Sequence, residues 1–284
     1  MQVISSPEQV QSFLLRQKQN GQTIGVVPTM GALHQGHLSL VQRARQESTL
    51  VVATIFVNPT QFGPGEDFEQ YPRTLQDDLQ QCEQAGADLV FTPKTDEMYG
   101  ADAQTFVRVT ELTQRLEGAH RPTHFEGVTT IVAKLFNITV PTIACFGQKD
   151  YQQQLIIRQM VKDLNFGVKI VTCPIIREAD GLALSSRNRY LSETERNRAL
   201  VLNRALRNAG QQAEGGVSPA QIAVEMQRRI HDEEGVELEY AVVADERTLQ
   251  PVCEDTDSAV ALVAARVGKT RLIDNAILRF PSTP

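Results

Sequence analysis

The feature that most restricts how this chain can fold is an alternation running through its first half. Short β-rich runs at residues 23–27, 50–57, 87–92, 142–146 and 168–173 are separated by amphipathic stretches of helical period. A strand with one face in water alternates apolar and polar side chains. These runs are apolar almost throughout, so each is expected to be central and buried on both faces. Strand and helix in succession then give a parallel sheet covered by helices on both sides. Helices are expected at 6–19, 37–47, 74–84, 128–136 and 149–164. The first has Ser6 as N-cap and Pro7 in the first helical position, and in the second Leu40, Val41 and Ala44 recur at helical spacing.

Past about Pro174 the texture changes. An Arg-rich turn segment leads into a long polar helix from Ser192, another from Ser218, and two final strand-like runs at 239–244 and 259–267. This is a smaller α+β pattern. With 284 residues, and roughly 150 residues to a domain, it makes a second domain, and the division is placed at 1–176 and 177–284.

Composition works by exclusion. Against 28 Lys and Arg stand 34 Asp and Glu, a formal charge of −6, which argues against a nucleic-acid coat because affinity for phosphate backbones comes from excess Lys and Arg. Cys82, Cys145, Cys173 and Cys253 are far apart with no C-x-x-C pair, so they read as reduced, packed thiols rather than a metal knuckle or redox motif. The first ten residues lack a basic n-region and an apolar h-region, and no apolar run approaches the roughly 18 residues of a membrane span. The expectation is a soluble cytoplasmic protein with neither membrane nor nucleic acid as partner. Glutamine is common, at 27 residues, so no single Gln points to function without a positional argument.

Three segments can carry chemistry. Pro28-Thr29-Met30-Gly31-Ala32-Leu33-His34-Gln35-Gly36-His37 follows the first main strand run and leads into a helix. Free backbone N–H groups and the positive end of a helix dipole suit an anion there, with two histidines three apart facing it. The spacing alone fits equally well a surface turn whose histidines cap or pack. Neither G-x-x-x-x-G-K-[ST] nor G-x-G-x-x-G is present in the segment. Phe146-Gly147-Gln148-Lys149-Asp150 is again a strand end before a helix, at the carboxyl edge where open α/β sheets bind ligands. Lys149 offers a mobile positive charge and Asp150 an acceptor for ribose hydroxyls, and Gln153, four residues on, is expected on the same helix face as Lys149. A capping, solvated Lys-Asp pair is the plainer reading. Between 177 and 207 stand seven Arg and four acidic residues, around Gly181-Leu182-Ala183-Leu184-Ser185-Ser186-Arg187-Asn188. Two hydroxyls and a guanidinium suit a polyphosphate; taken alone, a solvated interdomain turn is the plainer reading of the segment.

In this order the pieces resemble a known family. His34-Gln35-Gly36-His37 fits the HxGH signature of a nucleotidyltransferase superfamily, and Leu184-Ser185-Ser186-Arg187 is similar to its KMSKS-type loop. The ten-residue block from Pro28, Phe56-Val57-Asn58-Pro59-Thr60-Gln61-Phe62, Tyr71-Pro72-Arg73-Thr74, Arg121-Pro122-Thr123-His124-Phe125, Gly147-Gln148-Lys149-Asp150-Tyr151-Gln152-Gln153, the stretch from Asp180 to Asn188, and Arg271-Leu272-Ile273-Asp274-Asn275 together resemble the pantothenate synthetase (pantoate:beta-alanine ligase) family over essentially the whole chain. Gln148 stands where that family pattern has Glu, and Thr123 where Gly is common, which puts local loop geometry in question rather than the reaction.

The resemblance implies a Rossmann-like parallel-sheet domain binding ATP and pantoate, a smaller α+β C-terminal lid domain, and a homodimer. It implies that pantoate and ATP give pantoyl adenylate and pyrophosphate, after which beta-alanine displaces AMP. Carried over residue by residue, the ATP site comprises Met30, Gly31, Ala32, Leu33, His34, Gln35, Gly36, His37, Gly147, Gln148, Lys149, Asp150, Ile176, Leu184, Ser185, Ser186 and Arg187. Among these, His34, His37, Lys149 and Arg187 are the catalytic candidates. Gln61 and Gln153 would bind pantoate, with Gln61 near the incoming beta-alanine. Mg2+ would accompany ATP, with Asp77, Asp78 and Gln81 as contacts; acids on a surface helix are the plainer reading of that trio. His34, the adenylate phosphate and a water are each able to take the proton from beta-alanine. An adenylyltransferase acting on a phosphate acceptor and a non-catalytic nucleotide sensor are the competing readings of such a chain. A tRNA-acting synthetase fits less well, given the acidic charge and the absence of anticodon-binding length.

Overall fold

The computed structural model describes residues 1–252 and 256–281; Cys253 lies outside them. The chain forms two compact units. One comprises Met1–Gln148 with Gln152–Pro174, the other Lys149–Tyr151 with Ile175–Pro284.

The first unit is built on six strands, β1 (Gln2–Ile4), β2 (Ile24–Thr29), β3 (Leu50–Ile55), β4 (Leu89–Phe91), β5 (Ile143–Gly147) and β6 (Lys169–Cys173). They form one parallel sheet in the order β1-β4-β3-β2-β5-β6. Side chains leave a strand alternately to its two faces, and here both faces meet apolar cover. Ile24, Val26, Leu50, Val52, Leu89 and Phe91 pack with Val10 and Leu14 of α1 (Pro7–Gln19) and with Val128, Ile131 and Leu135 of α6 (His124–Thr139). Their neighbours Val27, Val51, Ala53, Val90 and Cys145 pack on the other side with Leu38, Val41 and Ala44 of α2 (Gln35–Glu47) and Cys82 of α3 (Leu75–Ala85). This is why the strands read as unbroken apolar runs. Two short helices, α4 (Thr95–Met98) and α5 (Glu117–His120), lie in the connection before α6, and α7 (Tyr151–Asp163) joins β5 to β6.

Strand order reverses between β2 and β5: the chain moves from β2 to β3 in one direction and from β5 to β6 in the other. At such a switch point the connections leaving the two carboxyl ends diverge to opposite faces and open a crevice. The turn before α2 and the turn after β5 are the segments that leave there.

The second unit pairs a three-stranded antiparallel sheet, β7 (Val236–Ala244), β8 (Ser258–Val267) and β9 (Thr270–Arg279), with helices α8 (Glu193–Glu214) and α9 (Pro219–His231). Leu202 and Leu206 of α8 and Ile222 and Met226 of α9 bury against Ala259, Ala261, Val263 and Ala265 of β8. Ser192 caps α8 in a capping box with Glu195, and Ser218 caps α9 ahead of Pro219.

Several expectations change. β1 and β9 are additional to the strands expected from the sequence. β1 has only three residues, and β9 is interrupted in sequence by Asp274 and Asn275, which are buried. Helix α6 spans His124–Thr139 rather than 128–136, and α2 begins at Gln35. Because α7 begins at Tyr151, Lys149 precedes the helix and does not share one of its faces with Gln153. Among the described residues no helix is long and apolar enough to cross a membrane.

Candidate active site

The turn after β2 turns sharply at Gly31 (φ +81°) and Ala32 (φ +49°), two successive left-handed residues. Such a turn exposes consecutive amides, and here an internal carboxylate takes them. Asp78 of α3 accepts from Ala32 N at 2.9 Å and Leu33 N at 2.8 Å, and from the Thr74 hydroxyl at 3.2 Å. Asp78 is 1% exposed, so the protein supplies this turn with its own anion. The same packing explains Gly31: a Cβ there would lie 2.9 Å from Asp78 Oδ2.

His34 is the N-cap of α2 and His37 stands three residues on, with the two reciprocally bonded. Gly36 N donates to His34 Nδ1 at 3.1 Å, and His34 N to His37 Nδ1 at 3.3 Å. Both rings therefore accept at Nδ1, which places the proton of each neutral imidazole on Nε2. The rings stack with centroids 4.0 Å apart and are half-buried. The result is two Nε2–H donors beside one another where the chain leaves the switch point. Several backbone amides expected to face an anion are thus engaged within the turn, and the donors come from the side chains.

Gln61 sits in a 3-10 turn, Pro59–Gln61, after β3 and is buried. Its carbonyl accepts from His124 Nδ1 at 2.8 Å and Arg121 Nη2 at 3.3 Å, and Arg121 is clamped by Glu66 through two bonds of 2.7 and 2.6 Å. Its side-chain amide faces Asn58 and the sulfur of Met30. Asn58, 1% exposed, is the hub: it donates to Gln61 Oε1 and the Gly127 carbonyl and accepts from the Tyr99 and Thr60 hydroxyls. Helix α6 approaches this turn so closely that a Cβ on Gly127 would lie 2.4 Å from the Thr60 carbonyl oxygen. Burial holds His124 neutral, its pKa down at about 4, with the charge of Arg121 adding to the effect. Burial raises the Glu66 carboxyl, but hydrogen bonding and charge from Arg121 outweigh it and leave the group below its ordinary value.

The three consecutive glutamines of α7 separate cleanly. Gln152 bonds to the carbonyls of Leu112 and Arg115 and to Glu117 N, and Gln154 bonds to Arg158 and Thr172. Gln153 is half-buried, with no side-chain hydrogen bond among the described residues.

In the second unit Lys149 Nζ lies 3.7 Å from Asp150 Oδ1. Residues 176–184 form a hairpin: Leu184 N donates to Ile176 O, Arg177 bridges Ala183, and Glu178 N donates to Leu182 O. Ser185 then caps the 3-10 turn Ser186–Tyr190, accepting from Arg187 N at 3.3 Å. The Arg-rich stretch is not a free cationic patch. Arg177 pairs with Asp274, Arg196 with Glu178 and Asp180, Arg198 with Glu234 and Arg204 with Glu233.

Of the three metal candidates, Asp78 is committed to the turn. Asp77, exposed, and Gln81, half-buried, lie four apart on α3. Among the described residues no group of three or more His, Cys, Asp or Glu side chains is placed to hold an ion. Gln148 N bonds to Cys173 O, and Thr123 precedes α6 at φ −98°, so neither departure from the family pattern forces an unusual backbone. Burial and the nearby Asp78 charge push the Cys82 thiol up to about 12; Cys145 is likewise held protonated, by hydrogen bonding to Cys173 and by burial. The described cysteines are unbridged and buried.

Fold and site together define a doubly wound α/β enzyme with paired imidazoles at a helix entrance on its switch point, joined to a small α+β unit. The sequence profile of the pantoate-beta-alanine ligase family matches residues 2–277, and the chain belongs to that family. It is 49% identical over 279 residues to the pantothenate synthetase of Geobacter sulfurreducens, covering 98% of this chain and 99% of that one. The pantothenate synthetase structure from Thermus thermophilus superposes with a TM-score of 0.94 at 45% identity, over 99% of this chain and 100% of the other. The pantoate-beta-alanine ligase of Francisella tularensis, solved with beta-gamma ATP and beta-alanine, superposes at 0.80 with 34% identity, over 98% and 97%.

Proposed function

We propose the following roles for this chain's residues in the family's reaction, the ATP-dependent condensation of pantoate with beta-alanine through pantoyl adenylate. A carboxylate is a poor electrophile. Its oxygen attacks the α-phosphorus of ATP, the bond to the bridging oxygen breaks, and pyrophosphate leaves with the displaced charge. The acyl phosphate then has AMP as a good leaving group. The amine of beta-alanine forms the new C–N bond as the acyl C–O bond to AMP breaks, and its proton passes to one of the three acceptors, His34, the adenylate phosphate or a water.

The observation that carries the reading is that both rings accept at Nδ1, His34 from Gly36 N and His37 from His34 N, which leaves Nε2 of each as the donor. Donors held in place before charge develops stabilise it without reorganising. His37 and His34 donate to the phosphates, with Lys149, Ser185, Ser186 and Arg187 neutralising the charge that grows toward pyrophosphate; the Ser185–Arg187 loop moves in as ATP binds. Met30, Gly31, Ala32, Leu33, Gln35, Gly36, Leu184, Gly147, Gln148 and Ile176 shape the nucleotide pocket, and Asp150 accepts from the ribose. Gln61 and Gln153 hold pantoate, since an amide both donates to a carboxylate and accepts from a hydroxyl. The amide of Gln153, which has no side-chain hydrogen bond among the described residues, suits that task. Mg2+ would accompany ATP and offset its phosphate charge, and with Asp78 engaged by the turn, Asp77 and Gln81 are the members of the trio that would meet it. The enzyme works as a cytoplasmic homodimer.

The test is pyrophosphate exchange into ATP that requires pantoate, followed by beta-alanine-dependent release of AMP. Exchange driven instead by a phosphorylated acceptor, or no exchange with any acid, would reject this reading.

A further inference from the structure

Mid-strand in β9, where apolar side chains would serve the fold, stand Asp274 and Asn275, 4% and 1% exposed. Buried polar groups cost stability unless each finds a partner, and the partners of these two are specific. Asp274 binds Arg177 through two bonds, Oδ2 to Nη1 at 2.7 Å and Oδ1 to Nη2 at 3.0 Å. Arg177 also donates to the Gly181 carbonyl and bridges Ala183, so it braces the hairpin that ends at Ser185. Asn275 Nδ2 donates 2.9 Å to the main-chain carbonyl of Lys149. Two residues on, the Tyr151 hydroxyl is fastened to the Glu246 carbonyl at 2.9 Å. Residues Lys149–Tyr151 therefore cluster with the second unit although they directly follow the last strand residue of β5 and Gln148.

We propose that Asp274 and Asn275 are positioning residues of the ligase reaction. From adjacent places on one strand they hold the main chain under the Lys149 ammonium and the base of the Ser185–Arg187 loop, and so set the spacing of the two segments that grip the ATP phosphates. This rests on the roles given above to Lys149 and the loop. The pair acts on adenylate formation, where pyrophosphate must be gripped, and not on aminolysis, where it has already left.

The test uses the full-length enzyme and measures the half-reactions separately: single-turnover adenylate formation from ATP and pantoate, and aminolysis of supplied pantoyl adenylate by beta-alanine. Asn275→Ala and Asp274→Asn should each slow adenylate formation by about 10-fold or more and raise the KM for ATP, since misplacement of a reacting group by about 1 Å costs up to 10². Aminolysis should stay within about two-fold of wild type. Arg177→Lys, which keeps the charge but loses the two-pronged contact, should fall between. Equal losses in both half-reactions would mean that the pair merely supports the fold, and unchanged adenylate formation in folded variants would also overturn the proposal. Lys149→Ala in the same assay separates the two readings. If it adenylates normally, the role of Lys149 fails; if it is slow while the β9 variants are normal, only the positioning inference fails.

Discussion

Asp78 is the residue whose structural and sequence readings differ most, and Asp78→Asn separates them. Its carboxylate accepts from Ala32 N and Leu33 N at 2.9 and 2.8 Å in a site 1% exposed. Asparagine has the same shape, so no cavity opens, but only one of its two terminal atoms accepts. One amide keeps a neutral acceptor, and the other meets an NH2 donor and is left buried without a partner. A bond to a charged group contributes about 1.5–3 kcal/mol, and an orphaned buried donor costs about 1–3 kcal/mol. Allowing for overlap between these, the variant should lose about 2–4 kcal/mol. In a domain of this size each kcal/mol moves the melting temperature by about 2–4 °C, so the first unit should melt roughly 4–16 °C lower. The assay is thermal unfolding without ATP or Mg2+, where no bound cation contributes. A shift below about 2 °C, together with a changed Mg2+ requirement for pyrophosphate exchange, would refute the structural reading and make Asp78 a cation ligand.

Two further outcomes follow from the neighbouring network. The folded-state pKa of His124 lies at about 4, below the ordinary value of 6.5. Between those values the unfolded chain binds a proton that the folded chain refuses, so stability is full above about pH 6.5 and falls as pH drops toward 4, by about 3 kcal/mol at most. Urea midpoints measured across that window should show the loss, and His124→Asn should flatten it; a wild-type midpoint independent of pH between 6.5 and 4.5 would contradict the assignment. Gln61→Ala should raise the KM for pantoate by about 10-fold or more, with the KM for ATP little changed, because it removes a buried amide from substrate recognition. Equal effects on both substrates in steady-state kinetics would count against that role.

What the sequence disclosed and what it hid have physical reasons. β2 and β3 stand out because burial on both faces demands unbroken apolar runs. β9 was concealed by Asp274 and Asn275, since a pattern of hydrophobicity cannot register a carboxylate that meets its guanidinium 97 residues away. Asp78 looks like a solvated acid on a surface helix because its partners are backbone amides, which carry no letter of their own. Asn58 lies in the run from Phe56 to Phe62, and only the five hydrogen bonds of its side chain in the fold reveal it as the hub under Gln61. Among so many glutamines, Gln152 and Gln154 proved to be braces, and of the three in succession Gln153 alone has no side-chain hydrogen bond among the described residues. The segment from Arg177 reads differently once its partners are known. Counted as charge it resembled a polyphosphate cradle, yet four of its arginines are paired with carboxylates. Local charge density is a poor guide to free charge, since Arg196 is neutralised within the segment and Arg177, Arg198 and Arg204 by carboxylates beyond it.

In the proposed reaction, imidazole donors at the α2 entrance and the Lys149 ammonium stabilise charge during adenylate formation. Rapid-quench measurement of pantoyl adenylate in a single turnover, before any beta-alanine is added, tests it directly. Folded His37→Ala and Lys149→Ala enzymes should each form the adenylate about 10²-fold more slowly than wild type or worse, at saturating ATP and pantoate. Adenylate appearing at the wild-type rate in both would contradict the account.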